Sequence, residues 1–288
     1  MRKPADYISS PFRSIYGYDR AYPEDEGCIA FEFEWEGRGL GEVDPGRNWR
    51  NIRDDSLRNG GRKFISAQPF SREGWKRSLR YLQKQVAKTA TINLSDRCSV
   101  HVHLNFQERS PKEAIQFAVL WYCLEEYLCE YSGEDRAGNL FCLRLQDCSE
   151  AYEPLIGLAR GHARFTNNLR YLALNPYSLS RFGSIEIRSF RGVKNTEEVI
   201  PWAECLLEMY DVSKDEFNSP EHLVQEISSQ APVPFLKRYL PKTYQTIFSG
   251  LEDYEIERSV MEGLRNCQDL AYCVRWEDRK TRKKPSTL

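Results

Sequence analysis

Three short segments, far apart in the chain, each put two ionisable side chains two residues apart in a run that reads as a β-strand. They are Glu32-Phe33-Glu34 in IAFEFEWEG, His101-Val102-His103 in CSVHVHLNF and Glu186-Ile187-Arg188 in GSIEIRSF. Successive side chains on a strand point to opposite faces, so residues i and i+2 share one. If the three strands join one sheet, one face carries three carboxylates, two imidazoles and a guanidinium. That set suits a divalent metal ion and phosphate better than a plain solvated surface. Each segment alone has a plainer reading. Glu32, Glu34 and Glu36 would simply face water on a half-buried strand, and Glu186 with Arg188 would be a same-face ion pair. The His pair is more pointed, because the chain has only four histidines. His162 and His222 carry no such context and read as structural.

With 288 residues the chain is long enough for one large domain or two small ones. Lys and Arg number 41 against 42 Asp and Glu, a net charge of −1. That balance gives no global attraction to nucleic acid or to an anionic membrane. The apolar stretch around Ala114 to Leu124 is too short and too polar to span a bilayer. The opening MRKPADYISSPF lacks an apolar run behind its basic residues, so no signal peptide is expected. Nine scattered cysteines, without a CxxC pair, argue against a disulfide framework and a zinc ribbon. Reduced, buried thiols in a cytoplasmic protein are expected, and no single cysteine stands out as a nucleophile.

The pattern predicts an irregular N-terminal arm over 1–26 and a strand over 28–35. A Gly/Pro loop follows over 37–48, then a hairpin over 54–66 turning at Asn59-Gly60-Gly61. Trp75, Leu79, Leu82 and Val86 recur at helical spacing and predict a helix over 72–90. A strand is expected over 98–106. Ser110-Pro111-Lys112-Glu113 marks the start of a helix running to about Tyr131, with an N-cap serine, proline at the first helical position and a capping-box glutamate. Residues 132–152 carry no clear pattern. Further strands are expected over 170–174 and 183–190, and helices over 196–211, 219–229 and 253–270. The sum is a single α+β domain over 1–275 with a helical C-terminal part, followed by a basic, disordered tail over 276–288.

Two further pieces fall in line with the three dyads: Asp54-Asp55-Ser56-Leu57 ahead of Gly60-Gly61, and Arg170-Tyr171 ahead of Leu174-Asn175. In this order, the five pieces resemble the amidoligase family, a branch of the glutamine synthetase and glutamate–cysteine ligase superfamily. The family's G-x-E-x-E strand is matched by Ala30 to Glu34, with alanine for the glycine. Its D-G-S-L is matched by Asp54 to Leu57, with Asp55 for the glycine. H-V-H is identical at His101 to His103, R-Y-x-x-L-N is matched by Arg170 to Asn175, and G-T-I-E-F-R by Gly183 to Arg188. The resemblance covers about residues 28–210. Ser184 and Ile187 are mild replacements in the last motif, and one larger departure matters for the chemistry: Lys63 stands where the family carries a metal-facing glutamate.

The resemblance implies a curved, mainly antiparallel sheet of glutamine synthetase type with flanking helices and ATP in a funnel above it. It implies a ligase that forms an amide from a carboxylate and an amine through an acyl phosphate. ATP and Mg2+ (or Mn2+) are the implied cofactors, with Glu32, Glu34, Asp54, His103 and Glu186 as metal ligands. Arg170, Asn175, Arg188 and His101 would hold the nucleotide, and Arg188, Arg170 and Lys63 would act on the transferred phosphoryl group. Physically, phosphoryl transfer between two anions needs neutralised charge and in-line positioning, and crowded carboxylates favour a cation between them. No GxxxxGK[ST] occurs, so the nucleotide would not sit on a P-loop. Lys63 would either replace one metal ion by a fixed cation that holds phosphate or mark a site with reduced or no activity. Two other readings stay open: a metal-dependent hydrolase built on the His pair and the carboxylates, and an inactive binding module. The acid and amine, whether small molecule, peptide, protein or modified nucleobase, are not specified by the residues. The resemblance also implies a phage or bacterial source.

Overall fold

Alternation in FEFEWE builds the central strand of the sheet. In the computed structural model, which describes residues 7–136, 138–148, 151–162, 165 and 171–276, β1 runs over Ile29–Arg38. Phe31, Phe33 and Trp35 are fully buried on one face, where Phe33 packs on Trp35 and Trp49. Glu32 and Glu34 therefore share the other. Around β1 the strands β2 (Trp49–Arg53), β3 (Arg62–Ser66), β5 (Ser99–Asn105), β6 (Leu174–Asn175) and β7 (Ser184–Arg191) form one sheet in the order β2-β3-β1-β5-β7-β6. Every pairing among these strands is antiparallel. The chain is thus α+β with a mainly antiparallel sheet.

The short strand β4 (Thr91–Asn93) pairs with the far end of β1 at Glu36–Arg38. The Gly/Pro motif had placed a loop there. Gly37 permits the approach: its φ is +149°, and a Cβ on it would lie 2.0 Å from the Thr91 carbonyl oxygen. The hairpin also differs from expectation. Its outgoing strand is β2, before Asp54, and 54–61 is the connection. β2 is an edge strand that shows Ile52 to solvent and turns Asn51 inward to donate to the Leu40 and Val43 carbonyls. An inverted apolar pattern of that kind hides a strand from periodicity. Of the strand expected over 170–174, only Leu174–Asn175 pairs with β7, and Arg170 lies outside the described residues.

Behind the apolar face of the sheet lie the helices. The N-terminal arm is not wholly irregular, since α1 (Phe12–Tyr16) forms and buries Phe12. α2 (Trp75–Thr89) and α3 (Pro111–Ser132) stand close to their expected spans. The Ser110 hydroxyl accepts from the Glu113 N–H while the Glu113 carboxylate accepts from the Ser110 N–H, a box worth about 1 kcal/mol. Short helices α4 (Glu153–Ala159) and α5 (Tyr177–Phe182) were not anticipated. The C-terminal part contributes α6 (Ile200–Asp215), α7 (Pro220–Gln230), the unanticipated α8 (Pro232–Tyr239) and α9 (Asp253–Ala271). α3 packs on β7, and α6 and α9 pack on α3. Among the described residues, no helix is long and apolar enough to cross a membrane. The tail expected from 276 starts one residue later, since Trp276 is buried and its indole N–H donates to the Ala271 carbonyl; residues 277–288 lie outside the described residues.

Candidate active site on the polar face of the sheet

Register decides which polar groups meet. Lys63 of β3 lies opposite Glu34 of β1, and His101 of β5 lies opposite Glu32. His103 lies opposite Glu186 of β7, which in turn lies opposite Asn175 of β6. Directly opposed Cβ atoms sit about 4.5–5.5 Å apart, so the face turned away from the helices carries a continuous polar row across five strands. Between the Val100–Phe190 and Val102–Ile187 pairs, β7 sets two residues, Arg188 and Ser189, against the single His101. Such a bulge re-aims side chains. Arg188 stays with Glu186, and Phe190 returns to the buried side. The fully buried Arg136 donates to the carbonyls of both bulge residues, at 3.1 and 3.0 Å, and so satisfies groups the ladder leaves open.

At one end of the row the Lys63 ammonium lies 2.7 Å from Glu32 Oε1, 2.9 Å from Glu34 Oε1 and 3.1 Å from Asp54 Oδ2. Asp54 reaches the row from the β2–β3 connection, where its Oδ1 accepts from the Ser56 N–H and hydroxyl. At the other end Arg188 donates to Glu186 Oε1 at 2.6 Å. Asn175 donates to Glu186 Oε2 at 2.6 Å and the Ser178 hydroxyl does so at 3.3 Å. Arg188 Nε also reaches the Phe141 carbonyl, and its guanidinium faces the Tyr171 ring.

His101 joins the two ends. It is 1% exposed, and its Nδ1 is 3.3 Å from both Glu32 Oε1 and Glu186 Oε1. That nitrogen is nonetheless in hydrogen-bonding geometry with neither. Its Nε2 meets the Ser99 hydroxyl at 2.9 Å, and Ser99 donates onward to Glu34. His103 Nδ1 is 3.2 Å from the Ser184 hydroxyl, and its Nε2 lies 3.8 Å from Glu186.

Charge follows from this geometry. Burial alone would raise the Glu32 and Glu186 carboxyls, but cations and donors reverse it. His101 and Lys63 draw Glu32 below its ordinary range, and Arg188 with the two imidazoles draws Glu186 well below. Asp54 is lowered against its burial by Ser56 and Lys63. Lys63 is held charged against its burial by Glu34 and Glu32. Burial and Arg188 push the His101 imidazole down, and Glu34, Glu186 and Glu32 together more than reverse this. Burial lowers His103. The row therefore sets four carboxylates against two fixed cations, leaving room for further positive charge.

Glu32, Glu34 and His101 each offer a ligand atom within 4.8 Å of the others. Oxygen donors with one imidazole suit Mg2+ or Mn2+. Of the residues named from the sequence, Glu32, Glu34, Asp54, Lys63, His101, His103, Asn175, Glu186 and Arg188 all come to this row. Arg170 lies outside the described residues. Two positions differ from their expected surroundings. His101, expected at the nucleotide, is the imidazole seated among the β1 carboxylates. Lys63 donates to Glu32 and lies within 3.1 Å of Glu34 and Asp54 as well, so its ammonium sits among carboxylates and not at an open position for phosphate. Sequence reading missed Ser99, Ser178, Ser184 and Arg136. Ser99 and Ser184 were within reach, since each stands two residues before a member of the row on the same strand face. Arg136 serves a bulge that no local pattern announces.

A cleft of about 380 Å³ between α2 and α6 is lined by Arg72, Lys76, Glu204 and Asp211. Of its charges, Arg72 pairs with Asp211 and Lys76 with Glu204. Against known families and curated proteins, no family model matches the chain and no curated sequence is significantly similar to it.

Proposed function

We propose that the chain is a cytoplasmic, ATP-dependent carboxylate–amine ligase. The observation that carries this reading is the convergence of Glu32, Glu34, Asp54, His101, His103, Asn175, Glu186 and Arg188 on one face of an antiparallel sheet. The sequence resemblance had singled out these residues from segments scattered over more than half the chain. The donor set fits a divalent ion, with Glu32, Glu34 and His101 as the group that would hold it and Asp54, His103 and Glu186 beside them. Magnesium, when bound, supplies charge neutralisation for the phosphate oxygens.

The chain's own groups do the rest. Arg188 presents a guanidinium suited to bidentate contact with phosphate oxygens, and Arg170 is the second cation in this reading. Asn175 and Ser178 hold Glu186 in place from one side while Arg188 holds it from the other. The substrate carboxylate attacks the γ-phosphorus of ATP, giving an acyl phosphate and ADP. The amine then attacks the acyl carbon, phosphate leaves, and an amide remains.

ADP release and hydroxamate formation test the reading directly. Hydroxylamine, used as a general amine with a panel of amino acids and peptides, should give Mg2+-dependent ADP release and an acyl hydroxamate with at least one acid. A second reading rests on Lys63, which already pairs with Glu32, Glu34 and Asp54. It is a ligase-like module without turnover. ATP binding with no hydroxamate across the panel would favour it.

A further inference from the structure

We propose that, in the chain without nucleotide, the Lys63 ammonium is a resident cation that occupies a divalent-ion position in the row, so that this end of the site is then filled without metal. The inference deepens the ligase reading and concerns its metal requirement. The Lys63 ammonium donates to Glu32 at 2.7 Å and stands 2.9 Å from Glu34 on the same strand and 3.1 Å from Asp54 of the β2–β3 connection. Two of the three residues, Glu32 and Glu34, belong to the group whose atoms stand within 4.8 Å of one another and of His101. The lysine and a divalent ion at that group therefore compete for the same two carboxylates.

Register fixes this competition. Lys63 lies directly opposite Glu34, so its side chain rises from the neighbouring strand on the polar face. Its side chain is 27% exposed, against 14% for Glu32 and 9% for Glu34, so it lies over two deeper carboxylates. Beneath it, the buried His101 Nδ1 faces Glu32 and Glu186 without a hydrogen bond to either. A donor atom left open at that depth, beside two carboxylates, is what a cation site needs once the ammonium is gone. With Lys63 removed, Glu32, Glu34 and Asp54 would repel one another, and a metal ion would relieve that repulsion.

Mn2+ titration of the full chain, without nucleotide, tests this by equilibrium dialysis and by thermal melting with and without EDTA. Lys63→Met keeps most of the aliphatic stem and deletes the charge. It should bind one more Mn2+ per chain than wild type, and its melting temperature should fall in EDTA and recover with Mn2+. Lys63→Arg keeps the charge and should match the wild-type count. If Lys63→Met does not fold, the Lys63→Met/Asp54→Asn double variant, with one negative charge fewer, carries the same titration. An unchanged Mn2+ count in the folded charge-deleted variant, or an added ion in Lys63→Arg, overturns the proposal. Mg2+-dependent ATP binding by wild type is read separately. An extra Mn2+ without any ATP binding retires the ligase reading and leaves the resident cation standing, whereas ATP binding with an unchanged count does the reverse.

Discussion

Glu125 in α3 and Glu186 in β7 are each 6% exposed, yet their protonation is driven in opposite directions. Glu125 accepts from the Trp121 indole N–H at 2.9 Å and the Leu145 backbone N–H at 2.7 Å. Both donors are neutral, and burial pushes its carboxyl up to about 7. Glu186 sits at the same depth with Arg188 at 2.6 Å and two imidazoles nearby, and it is held well below the ordinary carboxylate range. Burial supplies the same penalty to both, and the neighbouring cations set the sign. One carboxylate ties α3 to the turn at Leu145. The other belongs to a row whose charge is maintained at a cost, which is the mark of a functional site more often than of a structural one.

The most severe way to break this contrast is to remove the cation from Glu186. Arg188→Met should destabilise the fold by about 3–5 kcal/mol, the usual cost of leaving one partner of a buried pair uncompensated. Urea unfolding at neutral pH measures it, and a loss under about 1 kcal/mol would mean that Glu186 does not depend on Arg188.

Glu125 gives the next effect, through pH. Its folded pKa lies above the ordinary value of 4.5, so the folded state holds its proton longer than the unfolded chain does. The stability it contributes is fully present below 4.5 and is lost as pH rises through about 7. The change amounts to about 3 kcal/mol. Unfolding free energies of wild type at pH 5 and pH 8 should show that decline, and Glu125→Gln should lack it. Identical slopes would place the Glu125 proton elsewhere.

A smaller effect is expected at the bulge. Arg136→Met would leave the Arg188 and Ser189 carbonyls without their donor, at about 1–3 kcal/mol. Hydrogen exchange should speed up along β7 more than along β1. The smallest belongs to the surface pair Arg72–Asp211, both side chains 42% exposed. Asp211→Asn should change stability by no more than about 1 kcal/mol.

How much of this was legible in the sequence depended on whether a residue's neighbours lay within its own strand. The face shared by Glu32 and Glu34 follows from period two, and Phe31, Phe33 and Trp35 confirm it by burial. Likewise α3 follows from its capping box and apolar run. The order of strands does not follow from period, because pairing joins segments such as β5 and β7 that are far apart in sequence. β2 was misplaced because an edge strand can turn Asn51 inward and Ile52 outward. β4 went unseen because three residues carry no period, and the feature that seats it is a glycine on the partner strand. In the site, the paired ionisable residues stand out by their period-two spacing, which Ser99 and Ser184 share, while Ser178 and Arg136 act through distances that only the folded chain defines.

The central claim is that the polar row binds Mg2+ with ATP. Calorimetric titration of ATP into the full chain, with and without Mg2+, addresses it most directly, with Glu186→Gln as the paired variant. The account predicts Mg2+-dependent binding by wild type, weakened at least tenfold in Glu186→Gln with the fold retained by circular dichroism, a difference of about 1.4 kcal/mol or more. ATP binding that ignores both Mg2+ and the substitution, or no binding at all, would contradict it.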